Sequence, residues 1–121
     1  MKILLAVFIG GGIGSACRFG LSKIVLSLTD SQFPWGTLGA NLLACFVLGI
    51  TLLIGGKDIT RNSGWFAFIV IGFCGGFSTF STFSLETLRL IREGMLLWAA
   101  GNIVLSVTTC LLVLHFLVKY D

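Results

Sequence analysis

Charged residues in this chain fall mostly between four apolar stretches, at about 3–28, 35–54, 64–90 and 95–118. A membrane helix needs roughly 20 mainly apolar residues, so each stretch is long enough to span a bilayer. This leaves little choice of fold. The chain reads as an all-α membrane protein, a single domain over residues 1–121 made of four transmembrane helices. Soluble proteins carry about 25% charged residues. This chain carries 11%, with 56% hydrophobic residues and a mean hydropathy of +1.04, which excludes a soluble globular domain.

The first stretch, with Lys2 ahead of an apolar run, has the outline of a secretory signal. A secretory apolar core is only about 7–15 residues. Here it continues past Arg18 towards Leu28, and it reads as a retained span. The net charge of +3 is small and scattered, so no nucleic-acid surface is expected. Cys17, Cys45, Cys74 and Cys110 lie in different stretches without a CxxC spacing. They read as small packing residues rather than metal ligands or disulfide partners. Nothing in the chain points to an enzyme.

The connections are short. Pro34 ends the turn sequence TDSQFP and suits a helix start. Gly55, Gly56 and the polar run Lys57–Ser63 form a second loop, and Arg92-Glu93-Gly94 a third. Four helices so joined make an antiparallel bundle. The amino-terminal side receives Lys2, Lys57, Arg61 and Lys119; the other receives Lys23, Arg89 and Arg92, and Arg18 as a fourth if it reaches that interface. An excess of basic residues on one side normally fixes orientation. Here the two sides nearly balance, which implies insertion both ways round and makes an antiparallel, dual-topology homodimer possible.

The third stretch is unusual. At about 40 Å as a continuous helix, it exceeds the ~30 Å hydrocarbon core. Its middle reads GFCGGFSTFSTF from Gly72 to Phe83, glycines first and then hydroxyls alternating with phenylalanines. Glycine lowers helix stability and hydroxyls offer the backbone other partners, so a central break is expected. Broken helices in membranes must face protein or a water-filled cavity.

The other stretches carry polar stripes at helical spacing. Gly10, Gly14, Arg18 and Ser22 share one face, and small residues there permit close helix contact. Arg18 reads either as an interfacial side chain reaching headgroups or as a vestibule charge that concentrates an anion. Thr37, Asn41, Cys45 and Gly49 form a second stripe, in which Asn41 either binds a neighbouring helix or lines a path. Asn102, Ser106 and Thr109 or Cys110 form a third, with Thr108 pointing away. Glu86, the one acid inside a stretch, is three residues before Arg89 and spaced for a helix ion pair. His115 is read as a local hydrogen-bonding residue near the end of the fourth stretch. Cation paths rely on carboxylate rings or relays. This chain offers donors instead: hydroxyls, a carboxamide, an arginine and phenylalanine ring edges, which are partly positive. The expected permeant is a small anion.

GFCGGFSTFSTFS, with PWGTLGANLLACFVLG and GGGIGSACRFG before it, resembles the Fluc/CrcB fluoride ion channels along nearly the whole chain. The resemblance implies a passive channel by which bacteria expel fluoride across the inner membrane, built as an antiparallel homodimer with two pores. It implies a structural sodium ion held by backbone carbonyls, here those of Gly75 and Ser78. It further implies that Phe80 and Phe83 present ring edges to fluoride, that Asn41 and Ser106 line the pore, and that Arg18 stands in the vestibule. Thr37, Ser81 and Thr82 are further candidates. The chain departs from the family where Asn102 replaces a frequent tyrosine and Cys110 a frequent hydroxyl. A small multidrug-resistance-type exporter is the alternative, but such exporters centre on a carboxylate in the first span, and this chain has none there.

Overall fold

A computed structural model describes residues 1–55 and 63–118. The described residues form helices and connecting turns, with four stretches long and apolar enough to cross a membrane. Helix α1 spans Lys2–Leu28 and α2 spans Trp35–Gly55. The third stretch contains two helical halves. The first, α3, is assembled from Gly64–Phe66, Ala67–Cys74 and Gly75–Phe77; the second, α4, spans Phe80–Arg92. Helix α5 spans Leu96–Leu117. Lys57, Arg61 and Lys119, which enter the charge balance, lie outside the described residues, as does most of the Lys57–Ser63 loop.

Local chemistry sets the helix ends. The Ser63 hydroxyl accepts the Phe66 N–H at 3.1 Å and caps α3. At the end of α4, Gly94 N–H donates to the Ile91 carbonyl at 3.0 Å and Met95 N–H to the Leu90 carbonyl at 2.8 Å. That paired closure needs a left-handed residue, and Gly94 supplies it with φ 76°. The turn between α1 and α2 is held by the buried Phe33, whose ring packs against Trp35 at 4.5 Å and against Trp98 of α5 at 5.9 Å.

Glycines bring α1 and α3 together. A methyl group at Gly10 would run into the Phe68 carbonyl oxygen, one at Gly14 into that of Phe73, and one at Gly76 into that of Gly11. Small residues at four-residue spacing let membrane helices approach to backbone contact. Around this closest approach, Ala67–Cys74 adopts wide turns with i→i+5 hydrogen bonding. Beside it, Ala40, Ala44 and Phe77 form a small core, with Phe73 stacked on Phe77 at 5.5 Å. Large apolar side chains elsewhere point outward, among them Phe8, Phe19, Leu97 and Phe116, as suits a lipid-facing surface.

The helical path changes at Ser78 and Thr79, both of which have extended backbones (ψ 159° and 123°). In sequence, both the glycines and the hydroxyl run that follows them are candidates for the irregular part. Gly75 and Gly76 are helical. The backbone leaves the helix two residues later, where Asn41 offers it other partners.

Candidate functional site

Thr79 organises the centre of the bundle. Its N–H donates to Asn41 Oδ1 at 2.7 Å, and its carbonyl accepts from Asn41 Nδ2 at 3.2 Å. One carboxamide on α2 therefore replaces the ladder partners that the extended backbone lacks. The Thr79 hydroxyl accepts the Thr82 N–H at 3.2 Å, capping α4, and lies 3.2 Å from the hydroxyls of both Ser81 and Thr82. In a continuous helix the Gly75 carbonyl would receive the Thr79 N–H, and the Ser78 carbonyl the Thr82 N–H. Both donors are engaged elsewhere, so these two carbonyls stand outside the ladder.

Next to this turn lies a groove of about 280 Å³, lined by Asn41, Cys45, Ser78, Thr79, Phe80, Phe83, Ser106, Val107 and Cys110. No lining residue is charged. Phe80 and Phe83 sit 5.7 Å apart, their planes inclined at 37°. Phe80 is 80% exposed and faces out of the chain, whereas Ser106 is buried on α5.

A second cavity, of about 300 Å³, lies nearer the α1–α2 turn, and Ser22, Gln32, Thr37, Glu86, Arg89 and Glu93 are among its lining residues. Thr37 donates to Glu86 Oε1 at 2.9 Å, and Glu86 Oε2 is enclosed without a hydrogen-bond partner. The carboxylate thus takes the Thr37 hydroxyl on α2 rather than Arg89 on its own helix. Thr37 precedes Asn41 by one turn of α2, and Phe83 precedes Glu86 by about one turn of α4. Cavity and groove therefore follow one another along the same pair of helices.

Of the residues singled out by sequence, the structure gathers Asn41, Ser78, Phe80, Phe83 and Ser106 around one groove. Thr37 belongs to the neighbouring cavity. Ser81 and Thr82 join the Thr79 hydroxyl cluster, and Gly75 lies exposed on the last turn of α3. Arg18 is not among the groove residues. Its Nε donates to the Gly76 carbonyl at 3.3 Å, a carbonyl that also accepts from Ser15 at 3.4 Å. Sequence reasoning passed over Thr79, although a Thr three residues ahead of Thr82 is a capping spacing. Cys45 and Cys110, read as packing residues that also fall on the second and third polar stripes, both line the groove.

A sequence model of the family described as "CrcB-like protein, Camphor Resistance (CrcB)" matches residues 5–117. A protein of Yersinia pseudotuberculosis named "Fluoride-specific ion channel FluC 1" is 48% identical over 104 residues, covering 86% of this chain and 81% of its own. One of Rhodospirillum rubrum, named "Fluoride-specific ion channel FluC", is 44% identical over 110 residues, covering 89% and 85%. A third, of a Geobacter species and bearing the same name, is 39% identical over 111 residues, covering 92% and 90%.

Proposed function

The chain belongs to the CrcB-like family, and on that premise we propose that it is a fluoride-selective passive ion channel rather than an enzyme. The observation that carries this reading is the groove, whose polar lining consists of hydroxyls, thiols and a carboxamide beside two phenylalanine rings, with no carboxylate and no fixed positive charge. Fluoride is small and strongly hydrated, so a path must replace its water with several close donors. Hydroxyls and ring edges do this without the tight hold of a full opposite charge. Glu86 sits in the neighbouring cavity, one step removed from the groove.

The working unit is an antiparallel, dual-topology homodimer in the bacterial inner membrane, with fluoride leaving the cell through it. Each chain has its own groove, so two copies carry two pores. The exposed Phe80 and Gly75, where an added methyl would meet open space within the chain, leave that face available to a second copy. Nearly balanced charge on the two ends supports insertion in both orientations.

A sodium ion at the dimer centre fits the donor set. The Gly75 and Ser78 carbonyls lack their usual ladder donors because Thr79 N–H and Thr82 N–H bond to Asn41 and to the Thr79 hydroxyl. Carbonyl oxygens are hard ligands suited to such a cation. The ion would offset repulsion between carbonyl dipoles brought together from two chains. It is structural and is not coupled to flux. The function is tested by fluoride release from liposomes, with chloride as the comparison.

A further inference from the structure

Asn102 is fully enclosed, with 0% of its surface exposed, in a helix otherwise dominated by apolar side chains. It stands in a directed chain of hydrogen bonds. The Ser106 hydroxyl donates to Asn102 Oδ1 at 3.3 Å, Asn102 Nδ2 donates to Thr87 Oγ1 at 2.9 Å, and Thr87 Oγ1 donates to the Phe83 carbonyl at 2.7 Å. The order is forced. Thr87 has one hydroxyl proton and spends it on Phe83, so it can only accept from Asn102. That turns the amide edge of Asn102 towards α4 and its carbonyl edge towards Ser106.

Building on the fluoride-channel reading, we propose that Asn102 is a positioning residue of the pore: anchored through Thr87 to the Phe83 backbone, it holds the Ser106 hydroxyl at the groove wall. Ser106 lies four residues beyond Asn102, where a serine hydroxyl would otherwise turn to the carbonyl of its own helix backbone. The Asn102 side chain gives that proton another acceptor. At 3.3 Å this bond is longer than the usual O–H···O distance of about 2.7–2.8 Å and therefore weak, so an anion in the groove can compete for the proton. When the anion binds, Asn102 Oδ1 loses its partner inside the protein, which disfavours prolonged occupancy. The arrangement both presents the donor and limits how tightly it holds. It also ties α5 to the turn of α4 that bears Phe83, so the two groove walls keep a fixed relation.

The test separates the hydroxyl of Thr87 from its methyl group. Thr87→Val keeps the shape and removes the hydroxyl; Thr87→Ser keeps the hydroxyl and removes the methyl. Thr87→Val loses both hydrogen bonds of the hydroxyl, the one from Asn102 and the one to Phe83; fluoride efflux from liposomes is expected to fall about fivefold or more in it and to survive in Thr87→Ser. The reverse order would mean that Thr87 only packs, and would overturn the proposal. A second arm measures Asn102→Leu alone and in a Ser106→Ala background. Because Asn102 acts through Ser106, its substitution should change efflux much less in that background; equal effects in both backgrounds overturn the proposal. If the unmodified chain passes no fluoride, the channel reading fails and this inference falls with it. Efflux from the unmodified chain combined with the wrong variant pattern removes the inference alone.

Discussion

Asn41 holds the backbone of Thr79 by both edges of its carboxamide, accepting the N–H at 2.7 Å and donating to the carbonyl at 3.2 Å. A residue that reads in sequence as either helix glue or pore lining does the first and stands in position for the second. Its clamp keeps Ser78 and Thr79 extended and aims α4, with Phe80 and Phe83, at the groove.

Asn41→Leu leaves both Thr79 backbone groups without partners, and each orphaned group costs about 1–3 kcal/mol. The variant should unfold at lower temperature in detergent and lose fluoride flux. Asn41→Asp keeps the acceptor for the Thr79 N–H but loses the donor, and it brings negative charge to the groove when ionised. It should lose flux with a smaller loss of stability. Thermal unfolding and liposome efflux, run side by side, check both.

The glycine contacts make a graded prediction. Gly14→Val and Gly76→Val push a side chain into a facing backbone carbonyl, whereas at Gly12 an added methyl meets nothing within 4 Å. Overpacking of this kind costs about 1–3 kcal/mol or more. Yield of folded, monodisperse protein should collapse for the two valine variants and hold for Gly12→Ala.

Replacing the ring edges should spare the fold. Phe80 is exposed on the chain, and Phe83 lies beside it on the groove. Phe80→Ile and Phe83→Ile should bring efflux to the background of empty liposomes while the protein still elutes as an intact assembly. Unchanged efflux would remove the rings from the path.

Much of this was legible in the sequence, for physical reasons. Apolar length alone outlines four spans, and small residues such as Gly10 and Gly14 show where helices must touch. The hydroxyl-rich run marks the irregular region, but its bonding depends on a residue far off in sequence. No local pattern says that Thr79 will take both edges of Asn41, 38 positions away. Spacing puts Arg89 beside Glu86, and the two line one cavity, but it gives no hint of the Thr37 hydroxyl, 49 positions away, that hydrogen-bonds the carboxylate. Asn102 carried a weak signal, as a carboxamide on a polar stripe. Its pairing with Thr87 needed the packing of α4 on α5.

If a sodium ion rests on the Gly75 and Ser78 carbonyls, exchanging sodium for a larger organic cation during purification should weaken the dimer. Size-exclusion profiles at falling protein concentration should then show monomer earlier than in sodium. Identical profiles in the two salts would take the ion out of the assembly.

Liposomes carrying the purified chain and loaded with fluoride are diluted into fluoride-free buffer, and the release is followed with a fluoride electrode, with a potassium ionophore to balance charge. Rapid fluoride release, with chloride retained in a parallel sample, is the predicted result. No fluoride release, or chloride leaving as fast, would contradict it.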